Sequence, residues 1–144
     1  MRPLFSTERP GRQDPALVAE ELRTLGAFPG AGTSDLRRLA EAGVQVSVPQ
    51  GWSLMGERTP ADKAYVVLSG EVDIRVGSDV VARLGAGDVI GELAIIRREL
   101  RSATVVATSR LRVLHFTRES VQELYDAVPA FREALDRAAG ERTS

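Results

Sequence analysis

The stretch YVVLSGEVDIRVGSDVVARLGAGDVIGELAI, residues 65–95, decides the fold. Within it Val72, Ile74 and Val76 alternate with charged residues after Gly70, the period of two expected of a half-buried strand. Three turn signals punctuate it: LSG (68–70), VGSD (76–79) and GAGD (85–88). Upstream, Val44, Val46 and Val48 alternate before PQG (49–51), and RTPAD (58–62) adds another turn. Downstream, SATVVAT and RLRVLHFT fit a further strand pair. Turns recurring at intervals of about ten residues between short strands predict an antiparallel jelly-roll barrel, here over residues 44–116.

Outside that span the period changes. Asp14 and Pro15 suit an N-cap and first helical position, with Leu17, Val18, Leu22 and Leu25 on one face and Gly26 as the stop. FPGAG (28–32) reads as a turn, after which Thr33 or Ser34 caps a second helix carrying Leu36, Leu39 and Ala40 and ending at Gly43. Thr117 caps a helix through Val121, Leu124 and Tyr125, and Pro129 opens a last one with Phe131, Leu135 and Ala138 on one face. The fold class is therefore α+β and mainly β. The barrel is flanked by helices over 14–43 and 117–139, in a single domain over 14–144 behind a flexible tail at 1–13.

Composition narrows the function. At 144 residues and 43% hydrophobic content, the chain is long enough for one well-buried core. Nineteen basic against twenty acidic residues leave a net charge of −1, without the footprint of a nucleic-acid binder or a polybasic membrane anchor. With no Cys and one His, disulfides, thiolate-bound metals and multi-histidine sites are unavailable, so no metal is expected. The N-terminus has no apolar signal region, and no apolar run approaches the roughly twenty residues needed to span a bilayer, so a cytoplasmic protein is expected. The residues offer no nucleophile and base pairing, which argues against an enzyme.

The chemistry concentrates in GELAIIRRELRSATV, residues 91–105. An apolar run carries Glu92 at one end and, after a burst of charge, a single Arg101 followed by Ser102, Ala103 and Thr104. Burying either charge alone would cost on the order of several kcal/mol, so each must meet the other, water or a third party. Gly91-Glu92-Leu93-Ala94 reads as the first turn of a short helix between two strands, where free backbone N–H groups and an entry glycine suit an anion. Arg101 lies far enough along for the loop to fold back and grip phosphate oxygens in a bidentate pair, with Ser102 adding a hydroxyl. Glu92 would then be aimed at donors such as sugar hydroxyls. An internal Glu92–Arg101 salt bridge tying the loop to the barrel is the competing interpretation.

Residues 44–128 resemble the cyclic nucleotide-binding domain of the catabolite activator proteins and of the regulatory subunits of cyclic AMP-dependent kinase. The segments VPQGWSL, YVVLSGEVDI, LGAGDVIGELAI and RSATVVA stand in the family's order and spacing, and LGAFPGAGTSDLRRLA is similar to its N-terminal helical piece. The resemblance implies Glu92 for the ribose 2′-hydroxyl, Arg101 and Ser102 for the cyclic phosphate, and backbone amides around Gly91 and Ala94. It further implies Ile74, Val81, Ala82, Leu93 and Ala103 along the sugar and base. Cyclic AMP is the implied ligand, with cyclic GMP possible because Ser102 does not decide the base. The family often has Gly or Pro just before the phosphate arginine, whereas this chain has Arg97-Arg98-Glu99-Leu100. With the chain ending at Ser144, a module without the activators' DNA-binding helices is expected, whether alone or as a fragment. Such a module makes no direct contact with DNA or membrane, and its partners would be an effector protein or a second copy.

Other residues have blander readings. Arg97 and Arg98 form a solvated loop face, with steering of an anionic ligand as the alternative. Alternation points His115 away from the core, and Trp52 packs at a strand start. The run Gly85-Ala86-Gly87-Asp88-Val89-Ile90-Gly91 lacks the third glycine and the parallel unit of a dinucleotide site. The sequence thus favours a cyclic-nucleotide sensor that repacks its C-terminal helices, over an interaction module whose fold is kept and whose pocket is empty.

Overall fold

The computed structural model describes residues 14–143; for Glu92, Leu93, Ile96 and residues 138–143 only the backbone is described. The expected tail at 1–13 and the side chain of Ala138 therefore lie outside the described residues. The chain opens with α1 (Pro15–Leu25) and α2 (Thr33–Ala42), continues through β1 (Val44–Val48), β2 (Ser53–Met55), β3 (Lys63–Ser69), β4 (Val72–Val76), β5 (Asp79–Leu84) and β6 (Val89–Ile90), and reaches the short α3 (Glu92–Arg97). Then follow β7 (Thr104–Ala107), β8 (Leu111–Thr117), α4 (Arg118–Ala127) and α5 (Pro129–Thr143).

Local chemistry sets most helix ends. The Asp14 side chain accepts from the Ala16 N–H at 2.9 Å, and Gly26 closes α1 in the left-handed region at φ 65°. Thr117 accepts from the Ser120 N–H at 3.1 Å and so caps α4. At α2 the cap lies one residue upstream of the expected Thr33 or Ser34: Gly32 is the N-cap, and its N–H donates to Asp35 Oδ2 at 3.4 Å. An acidic residue three positions into the helix supplies the missing partner, so no hydroxyl is required at the cap itself. The buried stripe of α1 is Val18, Ala19 and Leu22, while Leu17 is exposed, because packing selects a narrower face than apolarity alone suggests.

The strands form two four-stranded antiparallel sheets, ordered β1-β8-β3-β6 and β2-β7-β4-β5. Among the described residues no hydrogen-bonded ladder joins them into a closed barrel; the result is a mixed fold of helices and antiparallel strands with two facing sheets. The edge strands β6 and β2 have two and three residues, too few to continue a ladder around the corner.

The first sheet is buried on both faces at its centre, along β3. Toward the second sheet it contributes Val48, Tyr65, Val67, Ile90, Leu111 and Val113, which meet Leu54, Val72, Val105 and Ala107. Toward the helices it presents Ala64, Val66, Leu68, Leu114 and Phe116, packed against Leu22, Leu39, Val121, Leu124, Phe131 and Leu135. A strand sandwiched between two cores reads as a continuous apolar run, which is why all of Ala64–Leu68 is buried. His115 is accordingly half-buried rather than turned away from the core, its ring 5.6 Å from that of Tyr65, its cross-strand neighbour. The alternation is real, but the face opposite one core is here a second core. Trp52 packs against the inter-sheet core as expected.

Two sets of polar contacts hold neighbouring elements together, one between layers and one within the second sheet. Arg112 of β8 holds Glu21 of α1 through a forked pair at 2.8 and 3.0 Å. On β4, Asp73 is buried beneath Arg83, which donates to it at 3.1 Å, and Arg75 at 3.6 Å. No helix among the described residues is long and apolar enough to cross a membrane.

Candidate functional site

The site begins where β6 ends. Ile90 is buried in the inter-sheet core, and the chain turns at Gly91 with φ 86° before entering α3. Two constraints fix a glycine there. The left-handed backbone disfavours any side chain, and an added Cβ would lie 2.7 Å from Arg101 Nη1 and 2.8 Å from Met55 Cε. α3 lasts six residues and stops at Arg98, itself left-handed at φ 57°, whose N–H donates to Ile95 O at 3.3 Å while that of Glu99 donates to Ala94 O at 2.9 Å. This closing turn uses an arginine where glycine is the easier residue.

Arg101 then returns beneath the turn. It is 3% exposed, its Nη1 donates to Gly91 O at 2.6 Å, and its Nη2 donates to Lys63 O. The main chain is held as firmly as the side chain: Arg101 N–H donates to Thr59 O at 2.9 Å, and Arg58 N–H donates to Arg101 O at 2.8 Å. Glu57 N–H adds a bond to Thr104 Oγ1 at 3.0 Å. The turn at 56–59 therefore clamps the loop from outside while the guanidinium anchors it from within.

Beside Arg101 opens a cavity of about 610 Å³, within the usual range for small-molecule sites. Eight expected site residues line it: Ile74, Val81, Ala82, Gly91, Ala94, Arg101, Ser102 and Ala103. The side chains of the other two, Glu92 and Leu93, lie outside the described residues. The sequence reading did not assign Met55, Val76, Leu84, Ile90, Glu99, Leu100 and Val105, which also line the cavity. Val76 and Leu84 were recoverable, since β4 and β5 alternate and Ile74 and Ala82 are paired across them. Met55 had no such signal, because only the tertiary fold brings β2 to this place. Arg97 is exposed as expected of a solvated face, yet it also lines the cavity.

Burial pushes the Tyr65 phenol well above its usual range, and the positive charge of Arg101 acts against that shift. Tyr65 donates its hydroxyl to Leu54 O at 3.3 Å. Burial also holds the His115 imidazole below its ordinary value, with Lys63 acting in the same direction and Asp62 against it. The cavity thus joins a fixed buried cation to an apolar wall, an arrangement that suits an anion carrying a flat apolar group. Among the described residues no group of three potential metal ligands occurs.

Known proteins resemble this chain in sequence and in fold. A Pycsar effector protein, PaPycTIR, of Pseudomonas aeruginosa is 32% identical over 113 residues, covering 77% of this chain and 37% of its own length. The chain thus spans well under two thirds of that relative. The regulatory domain of Toxoplasma gondii PKA, solved with cAMP, superposes with a TM-score of 0.76 at 23% identity, covering 88% of this chain and 50% of that one. The regulatory subunit of a cAMP-independent protein kinase A from Trypanosoma brucei does so with a TM-score of 0.77 at 21% identity, covering 88% and 46%. At those identities the two structures speak for the fold alone. The sequence profile of the cyclic nucleotide-binding domain matches residues 45–127, more than half of the chain, from within β1 to the end of α4, and the chain belongs to the cyclic nucleotide-binding domain family.

Proposed function

We propose that residues 14–144 act as one regulatory module that binds a cyclic mononucleotide, cyclic AMP in the first place, and that works by binding without catalysis. The observation that carries this reading is Arg101: a buried guanidinium on the lining of a 610 Å³ cavity, anchored by main-chain carbonyls and backed by Gly91 and Ser102. Carbonyl oxygens orient a cation with partial charges only, so a phosphate in the cavity would gain charge-assisted hydrogen bonds without having to organise the donor. In this reading Arg101 and Ser102 take the cyclic phosphate together with amides near Gly91 and Ala94, and Glu92 takes the ribose 2′-hydroxyl. Leu93, Ala103, Ile74, Val81 and Ala82 meet the sugar and base.

α3 supports a route outward. Ala94 lines the cavity while its neighbour Ile95 is buried in the core beneath the helices, and α3 packs on α4 and α5. A ligand that shifts α3 would bias the C-terminal helices toward a second arrangement, exposing or covering a surface for an effector protein or a second copy. The cytoplasm is the compartment where such a ligand and effector would meet. Since the fold also serves a cAMP-independent kinase subunit, cyclic GMP or no nucleotide at all is the competing reading.

The test is calorimetric titration with cyclic AMP and cyclic GMP, repeated on Arg101→Ala and Arg101→Lys with the melting temperature of each unliganded variant. Saturable binding is expected, with Arg101→Ala losing at least about tenfold in affinity, since a charge-assisted bond contributes roughly 1.5–3 kcal/mol. Arg101→Lys keeps a charge but cannot fork, and should fall between. Absence of binding by both nucleotides, or unchanged affinity in a destabilised Arg101→Ala, overturns the proposal.

A further inference from the structure

Three large apolar side chains on the cavity lining are left open to solvent: Val76 at 43% exposure, Val81 at 58% and Leu100 at 58%. Exposed hydrocarbon gathered at the edge of a cavity marks a surface that a ligand covers. The described polar side chains of the lining are distributed unevenly around it. Arg97, Glu99, Arg101 and Ser102 all come from one segment, the end of α3 and the loop after it, whereas β4, β5 and β7 contribute only hydrocarbon. The cavity thus has one wall built to hold charge and another whose side chains offer only contact area.

We propose that the site reads the cyclic phosphate and ribose and takes the base by apolar contact alone, so that it binds cyclic mononucleotides as a class with little discrimination among bases. This rests on the nucleotide-binding reading above. Hydrogen bonds to a base edge discriminate by about 10⁴–10⁵, because the wrong base leaves buried partners unsatisfied, whereas an apolar pocket separates similar groups by only roughly ten- to a hundredfold. Against Val81 and Val76 a base would lie at an open rim, where its donors and acceptors keep their bonds to water. Exchanging one pattern of donors and acceptors for another then costs little. What remains is area, which favours purines modestly over pyrimidines. β5 is the edge strand of its sheet, so its main chain is the alternative means of reading a base edge.

The experiment is calorimetric titration of the whole chain with the 3′,5′-cyclic monophosphates of adenosine, guanosine, cytidine and uridine at one salt concentration. All four are expected to bind, the two purines within about tenfold of each other and the full set within about a hundredfold. Val81→Ala should weaken all four by a similar factor. A spread beyond a thousandfold, or a Val81→Ala loss confined to one base, overturns the inference while leaving nucleotide binding intact. Failure of all four to bind instead removes the functional reading on which the inference stands.

Discussion

At Gly91 a backbone requirement and a packing requirement fall on one residue, and they can be separated by experiment. Gly91→Ala should destabilise the unliganded protein by about 1–2 kcal/mol from the left-handed backbone alone. The new methyl would also have to displace Arg101 Nη1, 2.7 Å away, or Met55. Affinity for cyclic AMP is therefore expected to fall by at least about tenfold, the equivalent of one misplaced charge-assisted bond. Urea denaturation and titration of the same variant check both; destabilisation with undiminished affinity would show that Arg101 is not positioned through Gly91. The glycine was visible in the sequence as an entry to a phosphate turn. Its second duty, making room for the guanidinium, was not, because ten residues separate it from Arg101 and only the folded loop brings them together.

Among the elements, α1 and β8 are joined by a contact that no local pattern foretells. Arg112 and Glu21 are far apart in the chain, and both look like ordinary surface charges on amphipathic segments. In the structure they fork at 2.8 and 3.0 Å, and Glu21 holds the Arg112 guanidinium more firmly protonated than usual. Their side chains remain 34% and 28% exposed, so solvent screening limits the gain. Glu21→Ala should cost about 0.5–1 kcal/mol, with much of that loss disappearing in high salt. Denaturant titrations at low and high ionic strength measure it, and a salt-independent loss would assign the effect to packing of the side-chain stems. By contrast, the helix caps at Asp14 and Thr117 and the opening of α5 at Pro129 were legible, because a cap depends on residues within a turn of one another.

For the molecule as a whole, the layers meet at Phe131. Its ring lies 5.5 Å from Phe28, in the turn between α1 and α2, and 6.2 Å from Phe116 on β8. One side chain of α5 thus ties the N-terminal helices, the first sheet and the C-terminal helices together, and it is 2% exposed. Phe131→Ala should lower stability by about 3–5 kcal/mol, the usual cost of emptying a buried aromatic site. Chemical denaturation gives the value, and a loss below about 1 kcal/mol would mean that α5 is not part of the cooperative core.

The sequence by itself determined whatever depends on near neighbours. The period of two and the evenly spaced turns settled the strands, the caps settled most helix ends, and the run from Gly91 to Ser102 marked the place where charge had to be accommodated. Tertiary structure alone decided how the strands are shared between two facing sheets, because that pairing joins segments distant in the chain. It alone gave the first sheet two cores, which turned His115 inward and buried the whole of Ala64–Leu68. It alone placed Met55 and Val105 around the same cavity as Arg101. The physical reason is common to all three. Propensity and capping act over one or two turns, whereas burial is a property of surfaces that meet only after the chain has folded.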